Sequence, residues 1–202
     1  MIFGTLNFKS MKKILIFLLI IASMKSSNTD YLPLIYSYYP QNIHPLLEKE
    51  YRSSPEFIKR KGLCQNSELV FKKDTLIQKL NITFGESSIQ DFTLLHYFDP
   101  NLHVRVSVLD VEYSINISLM INRYYIYISD SKNRKEIRLE CKNKDEEEIK
   151  MTLESLIRQN IHESYVEITK VEANCIVPNI AIGNKDFGEV TVADCLFTTH
   201  VW

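Results

Sequence analysis

Glycine is scarce, with five in 202 residues, and that scarcity removes whole classes of chemistry. Phosphate-cradling loops and dinucleotide turns need glycines at fixed offsets so that backbone N–H groups can approach a ligand. Neither a G-x-x-x-x-G-K-[ST] nor a G-x-G-x-x-G run occurs, and there is no G-x-S-x-G nucleophile elbow. C-x-x-C and H-x-x-x-H pairs are missing too, and His162-Glu163 lacks the second histidine of a zinc-protease helix, so no metal and no cofactor is implied. A basic excess is absent: the formal net charge is -1, with Lys and Arg spread along the chain. Neutralising phosphates takes a concentrated basic face, so nucleic acid is not an expected partner.

Long apolar runs are confined to one place. Met11-Lys12-Lys13 supplies a positive start, and Ile14 to Ala22 an uncharged apolar run that ends in Ser23, Ser26 and Ser27. That is the length of a signal-peptide core and well short of the roughly 20 residues of a membrane span. Residues 1–27 are therefore expected to be a cleaved signal peptide and the protein secreted, with no stable membrane span in the rest of the chain. With 45% hydrophobic and 24% charged residues, the remainder is globular.

Four cysteines follow the leader: Cys64, Cys141, Cys175 and Cys195. An even number in an exported chain predicts two disulfides, for which three pairings exist. Spacing favours one, because Gly183, Asn184, Asp186 and Gly188 are turn formers midway between Cys175 and Cys195. A hairpin there sets these two opposite each other and leaves Cys64 for Cys141. Asn81-Ile82-Thr83 and Asn116-Ile117-Ser118 are acceptors for N-glycosylation, so a glycoprotein is expected.

Phe92 to Cys141 reads as strand almost throughout and organises the rest. Val111, Tyr113, Ile115, Ile117 and Leu119 fall on one face and Glu112, Ser114, Asn116 and Ser118 on the other, the period-two pattern of a half-buried antiparallel sheet. On that pattern a glycan at Asn116 projects into water. Leu102 to Met120 holds no Gly or Pro and reads as one long strand with a bulge near Asp110, where the alternation shifts.

Around this block, residues 28–44 read as an irregular lead-in, and Ser54-Pro55-Glu56 as a helix start that Gly62 ends, with Phe57 and Ile58 to bury. Glu68 to Phe71 suggests a brief strand, and Asp74 a cap for a short helix with Leu76, Ile77 and Leu80 on one face. Asp145 and Glu148 have capping-box spacing ahead of the best helix, whose stripe is Ile149, Leu153, Leu156, Ile157 and either Asn160 or Ile161. Tyr165–Val171, Cys175–Ala181 and Glu189–Phe197 read as strands. The predicted class is α+β: a strongly bent antiparallel sheet covered by helices over residues 45–143, then a helix and β-hairpin extension over 144–202 that forms either an added layer or a small second unit.

The run Gly62-Leu63-Cys64, Phe71-Lys72-Lys73, Leu76 and Leu80, Phe92-Thr93-Leu94, the long hairpin and Ile137 to Cys141 resembles secreted nematode-type members of the nuclear transport factor 2-like superfamily. The resemblance covers residues 45 to 143 and rests on apolar pattern and two cysteines. It implies a cone-like sheet with an interior pocket, and it places Cys64 and Cys141 where that family has a cysteine after its helices and another ending a late strand. Leu63 between Gly62 and Cys64, and a missing glycine before the last cysteine, depart from the pattern.

Some members of that superfamily are enzymes using an aspartate or histidine in the cone, so Asp91, Asp110, His96 and His103 are the candidates for a small isomerase or dehydratase-like activity. Each also has an ordinary role at a strand end or turn. Tyr124, Tyr125 and Tyr127 put aromatics on both faces of one strand and form the candidate binding surface. The leading expectation is a secreted, non-catalytic binding or structural module for a small apolar ligand or an extracellular protein. A cystatin-like inhibitor in the C-terminal part is a further alternative, opposed by the lack of a Q-x-V-x-G loop.

Overall fold

A computed structural model describes residues 31–95, 98–130 and 133–197, the side chains of 133–136 excepted. The leader over 1–27, His96 and Trp202 lie outside the described residues. The fold is α+β, an open mainly antiparallel sheet with helices packed on it. Among the described residues, four α-helices precede the sheet: α1 (Leu32–Tyr36), α2 (Glu48–Ser53), α3 (Pro55–Cys64) and α4 (Ser67–Phe84). The strands β1 (Ile89–Asp91), β2 (Asn101–Val108), β3 (Val111–Ser118), β4 (Arg123–Asp130) and β5 (Asn133–Arg138) lie side by side in chain order. Then come α5 (Lys144–Asn160), β6 (Val166–Glu167), α6 (Lys170–Ala173) and α7 (Val192–Phe197). β6 pairs parallel to the start of β4. Among the described residues no helix is long and apolar enough to cross a membrane.

The period-two pattern fixes the inner face. Val104, Ile115 and Ile126 stand opposite one another across β2, β3 and β4, flanked by the ranks Leu102, Ile117, Tyr124 and Val106, Tyr113, Ile128. All nine are essentially inaccessible and pack with Leu76 and Leu80 of α4 and Leu153 and Ile157 of α5. The stripe expected of α5 is therefore the one it buries.

The outer face is covered as well, which the sequence pattern does not suggest. A second core joins Met120, Ile121 and Tyr125 to Ile35 and Tyr39, to Val177, Ile180 and Val190, and to Val192, Leu196 and Phe197 of α7. The lead-in is thus structural, with Ile35 and Tyr39 deeply buried. Polar residues on this face are accommodated by bonding to each other: Asn101 Nδ2 donates to Asn116 Oδ1 (3.2 Å), Asn116 Nδ2 to the Ser114 carbonyl (3.3 Å), and Ser118 Oγ accepts from Met120 N (3.2 Å). Asn116, only 3% exposed, does not face water as expected.

Several local expectations change. Leu102 to Met120 is two strands, not one. Leu109 (φ 50°) and Asp110 (φ 65°) form a two-residue hairpin loop, and the shift in alternation marks the reversal rather than a bulge. Glu68 to Phe71 is helical, since Asn66 Oδ1 accepts from Glu68 N and Leu69 N and starts α4 there. Ser54 and Pro55 open α3 as expected, but the helix runs through Gly62, burying Phe57 and leaving Ile58 exposed. β1 is only three residues long, and Glu189–Phe197 is mostly helix because Thr191 and Asp194 cap α7 reciprocally: Asp194 N donates to Thr191 Oγ1, and Thr191 N to Asp194 Oδ2. Tyr165–Val171 is strand only at β6, and Thr169 and Glu172 cap α6 in the same way.

Candidate functional site

The outer face of β4 holds the one sequence-nominated surface that becomes a concavity. Tyr124 is not part of it: its ring points to the inner core and is fully buried. Tyr125 and Tyr127 point outward with ring centroids 4.5 Å apart at 68°, and Tyr125 also stacks on Phe197 at 5.9 Å. Tyr125 is buried by this packing, while Tyr127 remains half-buried. Edge-to-face and stacked rings each add to burial and hold the rings rigid.

The concavity exists because two neighbours of β4 stop short of each other. β6 pairs with β4 at Arg123 and Tyr124, and β5 pairs at Ile128 and Asp130 across an irregular register. Between them, among the described residues, β4 has a strand neighbour only on the β3 side. The opening is a groove of about 480 Å³, walled by Ile137 and Leu139 on one side and by Lys170, Ala173 and Asn174 on the other. Ile137 is 65% exposed. Of the charges at the groove, Arg138 is held by Glu146 through two bonds of 2.6 and 2.7 Å, and Glu140 and Lys170 stand at the solvent edge.

Burial, with Tyr125 and Asp194 nearby, pushes the Tyr127 hydroxyl up to about 12. It is a neutral hydrogen-bond donor at physiological pH, not a base. The arrangement can hold an apolar body against an aromatic floor.

The other candidates are placed elsewhere. Asp91 is at the surface, where Lys73 Nζ lies 3.0 Å away and Thr93 N donates to it at 2.9 Å. Partial burial opposes ionisation there, but the Thr93 and Lys73 bonds hold its carboxyl below the usual range. Asp110 is exposed in the β2–β3 turn. His103 Nε2 lies 2.8 Å from Ser114 Oγ on the outer face, with the Phe92 ring 5.4 Å over it, far from any inner cavity. Among the described residues no group of three His, Cys, Asp or Glu is arranged to hold a metal.

The expected disulfides are not formed. Cys195 sits one helical turn into α7, so the position facing Cys175 is Val192, whose N–H donates to the Cys175 carbonyl at 2.8 Å. Cys64 ends α3 near Arg60 and Asp99, whereas Cys141 packs at the edge of the inner core beside Glu146 and Lys150. Burial pushes the Cys64 thiol up to about 12 and that of Cys195 far up, and it raises Cys141 and Cys175 as well.

One charged cluster had no signal beyond an arginine among the apolar positions of α3. Arg60, 3% exposed, lies over the rings of Tyr39 (4.4 Å), Phe57 (5.0 Å) and Tyr51 (5.8 Å), and Tyr39 donates to the Cys195 carbonyl at 2.7 Å. Asp99 faces this cluster with a buried Oδ1 that has no hydrogen-bond partner among the described residues. Burial pushes its carboxyl up to about 8, with Arg60 opposing. The groove walls were equally silent in the sequence, since they come from three separate elements. No family model, curated protein or solved structure matches the chain.

Proposed function

We propose that the protein is an exported, non-catalytic binding module that takes a small apolar ligand into the groove over Tyr127. The observation that carries this reading is the half-buried Tyr127 as floor of a concavity of about 480 Å³. Small-molecule sites usually run about 300–1,000 Å³, and here the aromatic floor is rimmed by the polar and charged residues Arg138, Glu140, Lys170 and Asn174. An interior pocket of the kind the family resemblance implies has less support, since the space between the sheet and α4 and α5 is occupied by fully buried side chains. Export rests on the apolar leader over residues 14–22. Unjoined cysteines are compatible with an oxidising compartment, because the thiolate is the reactive form, burial suppresses it at Cys64 and Cys195, and Cys141 and Cys175 lie in separate surroundings.

Binding of anilinonaphthalene sulfonate, followed by its fluorescence, tests the groove, together with native mass spectrometry of the secreted protein for a co-purifying molecule. Tyr127→Ala is expected to weaken the probe about tenfold, the loss of one well-packed aromatic contact. Unchanged affinity in Tyr127→Ala removes the groove as the site. A co-purifying polypeptide in place of a small molecule replaces the proposed ligand class with a protein partner.

A further inference from the structure

The two glycosylation sequons have opposite fates in this fold. Asn116 is 3% exposed, bonded to Asn101 and to the Ser114 carbonyl, and lies beneath α7, where the Phe197 carbonyl is 3.5 Å from Asn101 Nδ2. A glycan on its Nδ2 replaces one of the two amide hydrogens and needs space that α7 occupies. Asn81 is on the last turns of α4, partly exposed, and its side chain makes no hydrogen bond among the described residues. Its neighbour Ile82 is 77% exposed, and Thr83 is exposed with its hydroxyl turned back to the Lys79 carbonyl at 2.8 Å. Asn81 also stands on the helical layer of the inner face, across the sheet from the Tyr127 groove, so a sugar there leaves the groove open.

We infer that Asn81 carries the N-linked glycan of the folded protein, and that modification of Asn116 and completion of the fold exclude each other. The inference rests on the export reading above. The transfer forms a C–N bond between the Asn81 amide nitrogen and the anomeric carbon of a lipid-linked oligosaccharide; the pyrophosphate carrier leaves with the bonding electrons, and the amide loses a proton. Transferase acts on extended chain, so both sequons are presented before folding. Only a chain left unmodified at Asn116 can then bury β3 under α7.

The test is translation of the full chain into microsomes in two forms, with its own first residues and with a standard cleavable export signal placed ahead of it. Glycan positions are mapped on the unaltered chain by mass spectrometry, so the assignment does not depend on a variant folding. Asn81→Gln and Asn116→Gln are compared by gel shift. The expected result for the protease-resistant product is one glycan, on Asn81, lost in Asn81→Gln and retained in Asn116→Gln. Any chain modified at Asn116 is expected in the protease-sensitive fraction. A protease-resistant product with a glycan on Asn116, or without one on Asn81 while a control sequon in the same microsomes is modified, overturns the inference. If only the form with the added signal enters the microsomes, the export reading fails while the glycan assignment is still decided.

Discussion

At the scale of single residues, the least comfortable side chain is Asp99. Water and an ion-pair partner normally keep an aspartate ionised near pH 4, but here burial raises its carboxyl to about 8 against the opposing pull of Arg60. The folded chain therefore holds a proton that the unfolded chain has released, and over the window between these two values stability falls as pH rises. Asp99→Asn keeps the shape and removes the titration. Its melting temperature is expected to equal that of the parent near pH 4 and exceed it by an amount worth at least about 1 kcal/mol at pH 8. Parallel melting curves across that range would show that Asp99 is solvated after all. The same residue scale explains Tyr127: its neutral hydroxyl and half-open ring suit contact, not proton transfer.

At the scale of elements, two predictions concern how the chain turns and starts. The β2–β3 hairpin loop puts Leu109, 82% exposed, at φ 50°, a region that costs an ordinary L residue about 1–2 kcal/mol and asparagine less. Leu109→Asn is expected to raise stability by about 0.5–1 kcal/mol in urea unfolding. At α5, Asn143 Oδ1 accepts from Glu146 N, and Glu146, 5% exposed, receives Arg138 twice and Lys142 N at 2.7 Å. The Arg138 bonds lead in holding its carboxyl below the usual range. Glu146→Ala should cost about 2–3 kcal/mol, since a nearly buried Arg138 loses its partner; Glu147→Ala, one position on and exposed, should be close to neutral. Periodicity made the strong elements legible: β3, the stripe of α5, and the Ser54-Pro55 start of α3. What it could not reveal was set by distant partners. In the acidic run 145–148 several residues have capping spacing, and the choice of Asn143 with Glu146 is made by Arg138 across the sheet edge. Thr191 and Asp194 have the spacing of a cap, but Val190, Thr191 and Val192 are β-branched and locally favour strand.

At the scale of the whole molecule, packing substitutes for cross-links. Two cores on opposite faces of one sheet hold the helices without a disulfide, and the four thiols lie in separate surroundings. A thiol reagent is expected to leave the buried Cys64 and Cys195 unlabelled in the native protein, to reach the partly exposed Cys141 and Cys175, and to label all four after unfolding, with no change in melting temperature on adding a reductant. Labelling of Cys64 or Cys195 in the native state would mean that the buried thiols are reached by local opening. The candidate site belongs to this scale too: the groove exists only where three elements fail to meet, so no single stretch announced it. The cover of the outer face has one more consequence. It is closed by Tyr39 meeting the carbonyl of Cys195 across 156 positions of chain, and such distant pairings form slowly. A nascent chain emerging from a ribosome thus carries a finished inner layer beside naked Met120, Ile121 and Tyr125 until α7 arrives, and a premature stop before Val192 leaves an aggregate-prone fragment in need of a chaperone instead of a shorter working domain.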